Sequence, residues 1–471
     1  MRIRKHPSKL SHFYLLFLNL LKIHARFARF SAIGIFLLIA PYCCYAQGGK
    51  CATSKEVGCV IPNLFGVQGL ILPNRFHSAH FLSDFQQNFS PLNTAIATQL
   101  TLLPIPSLAS GFTYTFDRGA GVYTRSAQSF GPILTERAET IGQKKILFGS
   151  TYQRFRFDSL DGQDLKSIPV VFEHSHDEIN NQPNGRPADF EEDYITSTNR
   201  LDFKIDQFMV FGTVGLTNWL DVSLAVPILN VSMAATSNAT INRLAGPVTL
   251  PSGQVVQSHF FDPNDPVGST KATFSGNSSA SGIGDITVRL KGGVYRGKHL
   301  SMALLTDIRV PTGKERDFLG SGAVGIKPFV AISFASNRFA PHVNLGYQWN
   351  GKSTLAGNLD TGAEGDLPNL FFYSAGTDIG VTKSLTVAVD LIGQRVGSIP
   401  RLYSSTFTAA NGGKGPNIGF RTESYLINNL STGFKYNIAG QLLLTGNLLI
   451  QLDDGGLRQR IVPLIGLSYA F

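Results

Sequence analysis

Arg458-Gln-Arg-Ile-Val-Pro-Leu-Ile-Gly-Leu-Ser-Tyr-Ala-Phe471 ends the chain with a period of two. Counted back from the terminus, Phe471, Tyr469, Leu467, Ile465 and Ile461 share one parity, while Ala470, Ser468, Gly466 and Arg460 share the other. Successive side chains point to opposite faces of a pleated backbone, so the stretch reads as a strand with one face of large apolar groups. A soluble sheet protects its terminal strand. This one turns a bare apolar row outward, and hydrocarbon is the solvent that suits it.

The same alternation recurs upstream. Leu442, Leu444, Leu448, Ile450 and Leu452 oppose Gln441, Thr445, Asn447 and Gln451; Phe339, Val343, Leu345, Tyr347 and Trp349 oppose His342, Asn344, Gln348 and Asn350. Asp221, Asp285, Arg289, Lys291, Asp307, Arg309, Lys327, His342, Asn344, Gln348 and Asp390 all fall on the polar parity, which makes them the candidate lumen-lining residues. The segregation has an energetic reason: Arg or Lys on a lipid face at mid-membrane costs roughly 2 to 4 kcal/mol, whereas a lumen-facing one stays wet. Tight turns at Thr217-Asn218, Arg296-Gly297-Lys298, Ser336-Asn337, Thr382-Lys383 and 437–440 alternate with long polar connections, 158–200, 234–281, 311–321, 351–367 and 397–420. Short turns at one end and long loops at the other are the outer-membrane pattern, and a sheet in lipid must close on itself. The fold class expected is all-β, a closed antiparallel transmembrane β-barrel of 12 to 14 strands. Twelve strands run from Ile146 onward, and a hairpin of Phe112, Tyr114 and Phe116 with Val122 to Phe130 raises the expectation to fourteen, unless it packs inside as part of the plug. Two strands switch parity midway, which predicts bulges near Gln153 and near Asp206 and Gln207.

Composition agrees with a barrel. Charged residues are 15% of 471, and the net charge of +9 is local. Seven of the 41 basic residues and no acid precede Ala46, leaving 34 basic against 32 acidic residues afterwards, so nucleic-acid binding is not indicated. Residues 1–46 read as a secretory signal, with a basic region, the short apolar run Ile33 to Ala40 and the small-residue end Cys44-Tyr45-Ala46. Cys51 and Cys59 then remain, a close pair for a disulfide in an oxidising compartment, with no Cys/His set at zinc spacing. Residues 47–108 lack strand rhythm. Phe81, Phe85, Phe89, Leu92, Ile96 and Leu100 recur at helical spacing, interrupted by Pro91, and suggest short helices plugging the barrel 109–471, or else a periplasmic tail.

No catalytic constellation, metal site or cofactor motif stands out, so the chain is not expected to be an enzyme. The run Glu173-His-Ser-His-Asp-Glu178 and the acids Asp189, Glu191, Glu192 and Asp193 read as loop surface. Gly282-Ile-Gly-Asp285 is no nucleotide loop, since no helix follows to hold phosphates. Ser and His on barrel strands leave a barrel hydrolase as a remote alternative.

The Gly466-x-x-Tyr469-x-Phe471 ending resembles the C-terminal signal that the barrel assembly machinery reads in outer-membrane proteins. Ser281-Gly-Ile-Gly-Asp-Ile-Thr-Val-Arg-Leu-Lys291, Asp307-Ile-Arg-Val-Pro-Thr-Gly313, Gly320-Ser-Gly-Ala-Val-Gly-Ile-Lys-Pro-Phe329 and Pro341-His-Val-Asn-Leu-Gly-Tyr-Gln-Trp-Asn350 resemble the barrel family labelled "MetA-pathway of phenol degradation". That family is distantly similar to long-chain fatty-acid and toluene channels. The resemblance implies an N-terminal plug, extracellular capture of an apolar ligand and lateral exit through a kinked strand, expected here near Asp206. The function expected is passive diffusion of small apolar or aromatic solutes by a monomer in outer-membrane lipid, with a structural or adhesion barrel as the alternative.

Overall fold

The computed structural model describes residues 51–471 except 52–53, 66–69, 74–78, 83–89, 110–113, 118–121, 126–128, 175–191, 245, 250–251, 258, 337 and 360. The expected signal segment lies outside the described residues. The barrel strands are β1 Ile146–Phe157, β2 Tyr194–Gly215, β3 Leu220–Asn242, β4 Lys271–Ile283, β5 Ile286–Arg296, β6 Leu300–Val310, β7 Gly325–Phe334, β8 Phe339–Asn350, β9 Leu370–Gly380, β10 Leu385–Thr408, β11 Lys414–Ala439, β12 Leu442–Gln451 and β13 Ile461–Ala470. All except β4 close an antiparallel ring of twelve, sealed where β13 pairs with both β1 and β12. β4 continues β5 toward the loop end and pairs with β3 alone.

Twelve, not fourteen, is the count among the described residues. Tyr114–Asp117 and Val122–Arg125 do form a hairpin, but as a two-stranded sheet of their own. Closure needs no help from them, because β1 already finds its second neighbour in β13. Nor do the predicted bulges exist. β1 pairs with β2 without a register shift from Ile146↔Val214 to Phe157↔Phe203, and β2 pairs continuously with β3. The parity switch has another cause: near the loop end the exterior meets water and the interior turns apolar. Phe155, Phe157, Leu201, Phe203 and Ile205 point inward there, while Arg154, Arg156 and Lys204 point out. The exit expected at an Asp206 kink therefore has no kink to use.

Several stretches read as loops are strand extensions for the same reason. β3 runs on to Asn242, β4 starts at Lys271, and β10 and β11 are joined by 409–413 alone. The interior of this raised collar is one apolar core, in which Phe157, Phe203 and Phe318 contact in series. Cys51, Val57, Ile61, Leu92, Ile96 and Leu100 belong to that core. The helix α1, Ser90–Thr101, carries the last three, with Pro91 in its first turn where a missing N–H is harmless. Phe81, expected on a helix, lies instead on the short strand Ala79–Leu82, which pairs with Leu70–Leu72 and Ile168–His174.

Candidate functional site

The turn-end half of the lumen is occupied. Residues 129–142 run through it as irregular backbone, buried along their length. Irregular chain at membrane depth is tolerated where protein satisfies its polar groups, and here the wall side chains do so. Thr386 Oγ1 accepts from Phe130 N (2.9 Å), Asn344 Oδ1 from Glu136 N (2.8 Å), Ser333 Oγ from Ala138 N (2.8 Å) and Asp221 Oδ2 from Ile141 N (3.0 Å). Asn344 Nδ2 and Lys435 Nζ donate to the carbonyls of Glu136 (2.7 Å) and Pro132 (2.5 Å). The inner strand faces thus replace the neighbours that this segment lacks.

Charges lock the same segment. Arg289 bridges Glu136 (2.5 Å) and Asp307 through two parallel bonds (2.5 and 2.8 Å); Lys327 reaches Asp307 at 3.0 Å and Lys291 lies 3.6 Å from Glu136. His342 Nε2 faces Asp390 (2.7 Å) and the Thr135 hydroxyl (2.9 Å), and Nδ1 lies 3.5 Å from Asp378. The parity rule placed these wall residues inside. It had no means of finding their partner, since Glu136 and Arg137 sit in a stretch with no period.

Above this floor is a cavity of about 130 Å³. Arg289, Lys327, Asn344 and Gln348 border it, together with Phe155, Phe157, Phe329 and Phe372 and several aliphatic side chains. Phe329 and Phe372 meet edge to face at 6.2 Å, and the Lys327 ammonium stands 5.5 and 5.4 Å from the two ring centres. The lining is mixed, with apolar and aromatic side chains beside polar and charged ones that include Glu136 and Arg458.

Asp285 and Arg309 stand elsewhere, at a break in the wall between β4 and β5. The register of β3 passes from Ala225↔Thr287 to Ile228↔Ile283, so the ladder is interrupted around Pro227. Pro227 accepts from Gly284 N at 2.8 Å but has no N–H to return on that side. β6 stops at Val310, level with Ile286, leaving the far edge of β4 without a strand. The loop 311–321 covers the gap. Thr312 Oγ1 donates to Gly284 O (2.6 Å), and Asp285 accepts from Gly313 N (3.2 Å), Ser321 N (2.8 Å) and Ser321 Oγ (2.7 Å). Leu319 lies against Gly282 and Gly284, where a Cβ on Gly282 would stand 2.9 Å from its Cδ1. A second, smaller cavity, about 40 Å³, is lined by Pro227, Asp285, Arg309 and Leu319 among others and shares Thr101, Leu103 and Ile105 with the chamber.

Over that loop sits the segment closed by the Cys51–Cys59 disulfide. Arg316 pairs with Glu56 and donates to Leu359 O (2.7 Å); Lys314 reaches Glu56 (3.1 Å) and Asp317 (2.8 Å), and Val57 N donates to Asp317 (3.2 Å). Burial alone would raise the Glu56 carboxyl, but Arg316 and Lys314 outweigh it and hold the group below its ordinary value. At the opposite end Gly466 packs on Thr151, and the Tyr469 and Phe471 rings meet at 4.7 Å on the outer surface. The Glu173–Glu178 run lies largely outside the described residues, as do Asp189 and Glu191; Asp193 is buried against His259 at 2.7 Å.

No curated protein matches this chain. Among solved structures it is similar to an outer membrane channel from Pseudomonas putida F1, at 11% identity over 71% of this chain and 98% of that one, with a TM-score of 0.41. It is also similar to a FadL homologue from Pseudomonas aeruginosa, at 9% identity over 77% and 96% of the two chains, with a TM-score of 0.30. The family described as "MetA-pathway of phenol degradation" matches residues 213–456, a span that holds the wall break, its covering loop and the chamber lining from Arg289 to Leu449. The chain belongs to that family.

Proposed function

We propose that this barrel passes small apolar or aromatic compounds by passive diffusion, with the central chamber as the binding stage and the break at Gly284 and Asp285 as a sideways exit into lipid. The described parts of 51–109 and the segment 129–142 act as an internal plug, the first filling the collar and the second closing the floor. The observation that carries the reading is a contrast. The floor lies inside the closed ring, sealed by backbone hydrogen bonds and buried ion pairs, whereas the chamber adjoins a cavity closed by a loop instead of a strand, through Leu319 and the hydrogen bonds of Asp285. The break also opens at hydrocarbon depth, between the outward-facing Ile283 and Val310.

Uptake of a labelled aromatic solute by liposomes carrying the purified protein tests this. The intact protein is expected to exceed protein-free vesicles, and a Gly282→Cys/Leu319→Cys disulfide is expected to suppress the excess. A form lacking residues 47–108 serves as the opened control. Absence of flux from both intact and opened forms would reject transport in favour of a structural barrel; undiminished flux after cross-linking would reject the sideways exit.

A further inference from the structure

The outer surface carries a boundary sharp enough to read residue by residue. Ile465, Tyr152, Phe208, Ile228 and Ile283 are register partners in one row across β13, β1, β2, β3 and β4, all facing out and between 40% and 57% exposed. One pleat higher, the row on β1 to β4 reads Arg154, Asp206, Asn230 and Ser281. The row above that reads Arg156, Lys204, Ser232 and Ser279. Outward character thus changes from apolar to polar in a single step, which fixes the edge of the hydrocarbon at these strands. A bilayer whose hydrocarbon ends at this edge would bring its outer headgroup phosphates to the level of the two polar rows.

Arg156 and Lys204 are direct cross-strand partners on the same outer face. Like charges so placed are destabilising, with Cβ atoms roughly 5 Å apart. Neighbouring carboxylates answer the charge incompletely: Asp206 takes Arg154 at 3.1 Å and the Tyr152 hydroxyl at 2.6 Å, and Asp202 takes Lys204 at 3.1 Å. Arg156 is exposed and has no carboxylate partner among the described residues. A guanidinium with its fork of donors free, an ammonium opposite and a second guanidinium one pleat below form a triangle suited to one tetrahedral oxyanion. We propose that Arg156, Lys204 and Arg154 form a binding site for a phosphate group on an outer-leaflet lipid, whose acyl chains lie down the apolar column below, over Tyr152 and Phe208.

The test uses the full-length mature protein in phosphatidylcholine vesicles, with bisphosphorylated lipid A or its dephosphorylated form added and bound lipid measured by native mass spectrometry after extraction. The intact protein is expected to retain the phosphorylated lipid, and Arg156→Gln/Lys204→Gln is expected to bind it about tenfold or more weakly. Arg421→Gln, a charge change on β11, should bind like the intact protein. In phosphatidylcholine alone the double variant should melt no lower than the intact barrel, since removing facing cations relieves repulsion, and this shows that it is folded. Equal retention by intact and double-variant proteins, or equal retention of lipid with and without phosphate, would overturn the site.

Discussion

Glu136 is the residue on which the floor turns. Its carboxylate takes Arg289, stands near Lys291 and accepts from Leu108 N at 2.8 Å, so it joins both plug segments to the wall. Glu136→Ala would leave two buried cations short of a counter-charge, a loss on the order of 3 to 5 kcal/mol, whereas Glu136→Gln keeps the shape and one acceptor. Urea unfolding in detergent micelles should rank the three proteins intact, Gln, Ala, and liposome swelling with a small sugar should be fastest for Ala. An Ala variant as stable and as tight as the intact protein would remove Glu136 from this role. That Arg289, Lys291, Asp307, His342 and Asn344 share the polar parity of their strands was legible from period two. What they grip was not: residues 129–142 are held by side-chain hydrogen bonds that leave no pattern in the chain.

At the scale of elements, the misreading of β1 and β2 is instructive. Alternation reports contrast between two environments, and it inverts when both environments change. At Phe155 and Phe203 the interior is apolar core and the exterior is water, so the same unbroken strand shows the opposite parity from its membrane half. A bulge and an inversion look alike in sequence; register distinguishes them. The true irregularity was marked by Pro227 and by Gly284, both visible but neither decisive without its partner strand. The loop that covers this break is held down by the disulfide-closed segment, which gives the latch a pH dependence of definite sign. Glu56 has a lowered value in the folded protein, so its contribution is full above the unfolded glutamate range, about 4.3, and disappears as pH falls through the lower folded value. Hydrogen exchange at Gly313 and Ser321, corrected for intrinsic rate, should accelerate on acidification through that window and in Cys51→Ser/Cys59→Ser at neutral pH. Glu56→Gln should exchange fast throughout and lose the pH response; protection unchanged in all three would show that the loop stands without its latch.

For the whole molecule, closure depends on the last strand, because β13 joins the chain's end to β1. Of the expected 12 to 14 strands the ring has twelve, the hairpin of the upper count forming its own sheet, since an alternating segment says that it is a strand and not which sheet it enters. The terminal Phe471 separates two roles for that seam. Its ring is 62% exposed and meets Tyr469, while its backbone exchanges hydrogen bonds with Ile146 at 2.7 and 3.5 Å. Deleting it removes one rung of a ladder that still runs from Leu464↔Gln153 to Ala470↔Leu147, so the finished barrel should hardly weaken. If the ending is also read by assembly machinery, cells should insert far less of the shortened protein into the outer membrane, while refolding of urea-denatured protein into detergent proceeds with unchanged yield. Heat-modifiable mobility on gels reads both quantities from the same preparation. Equal loss in cells and in detergent would make Phe471 a structural residue only, and equal success in both would deprive the ending of any part in assembly.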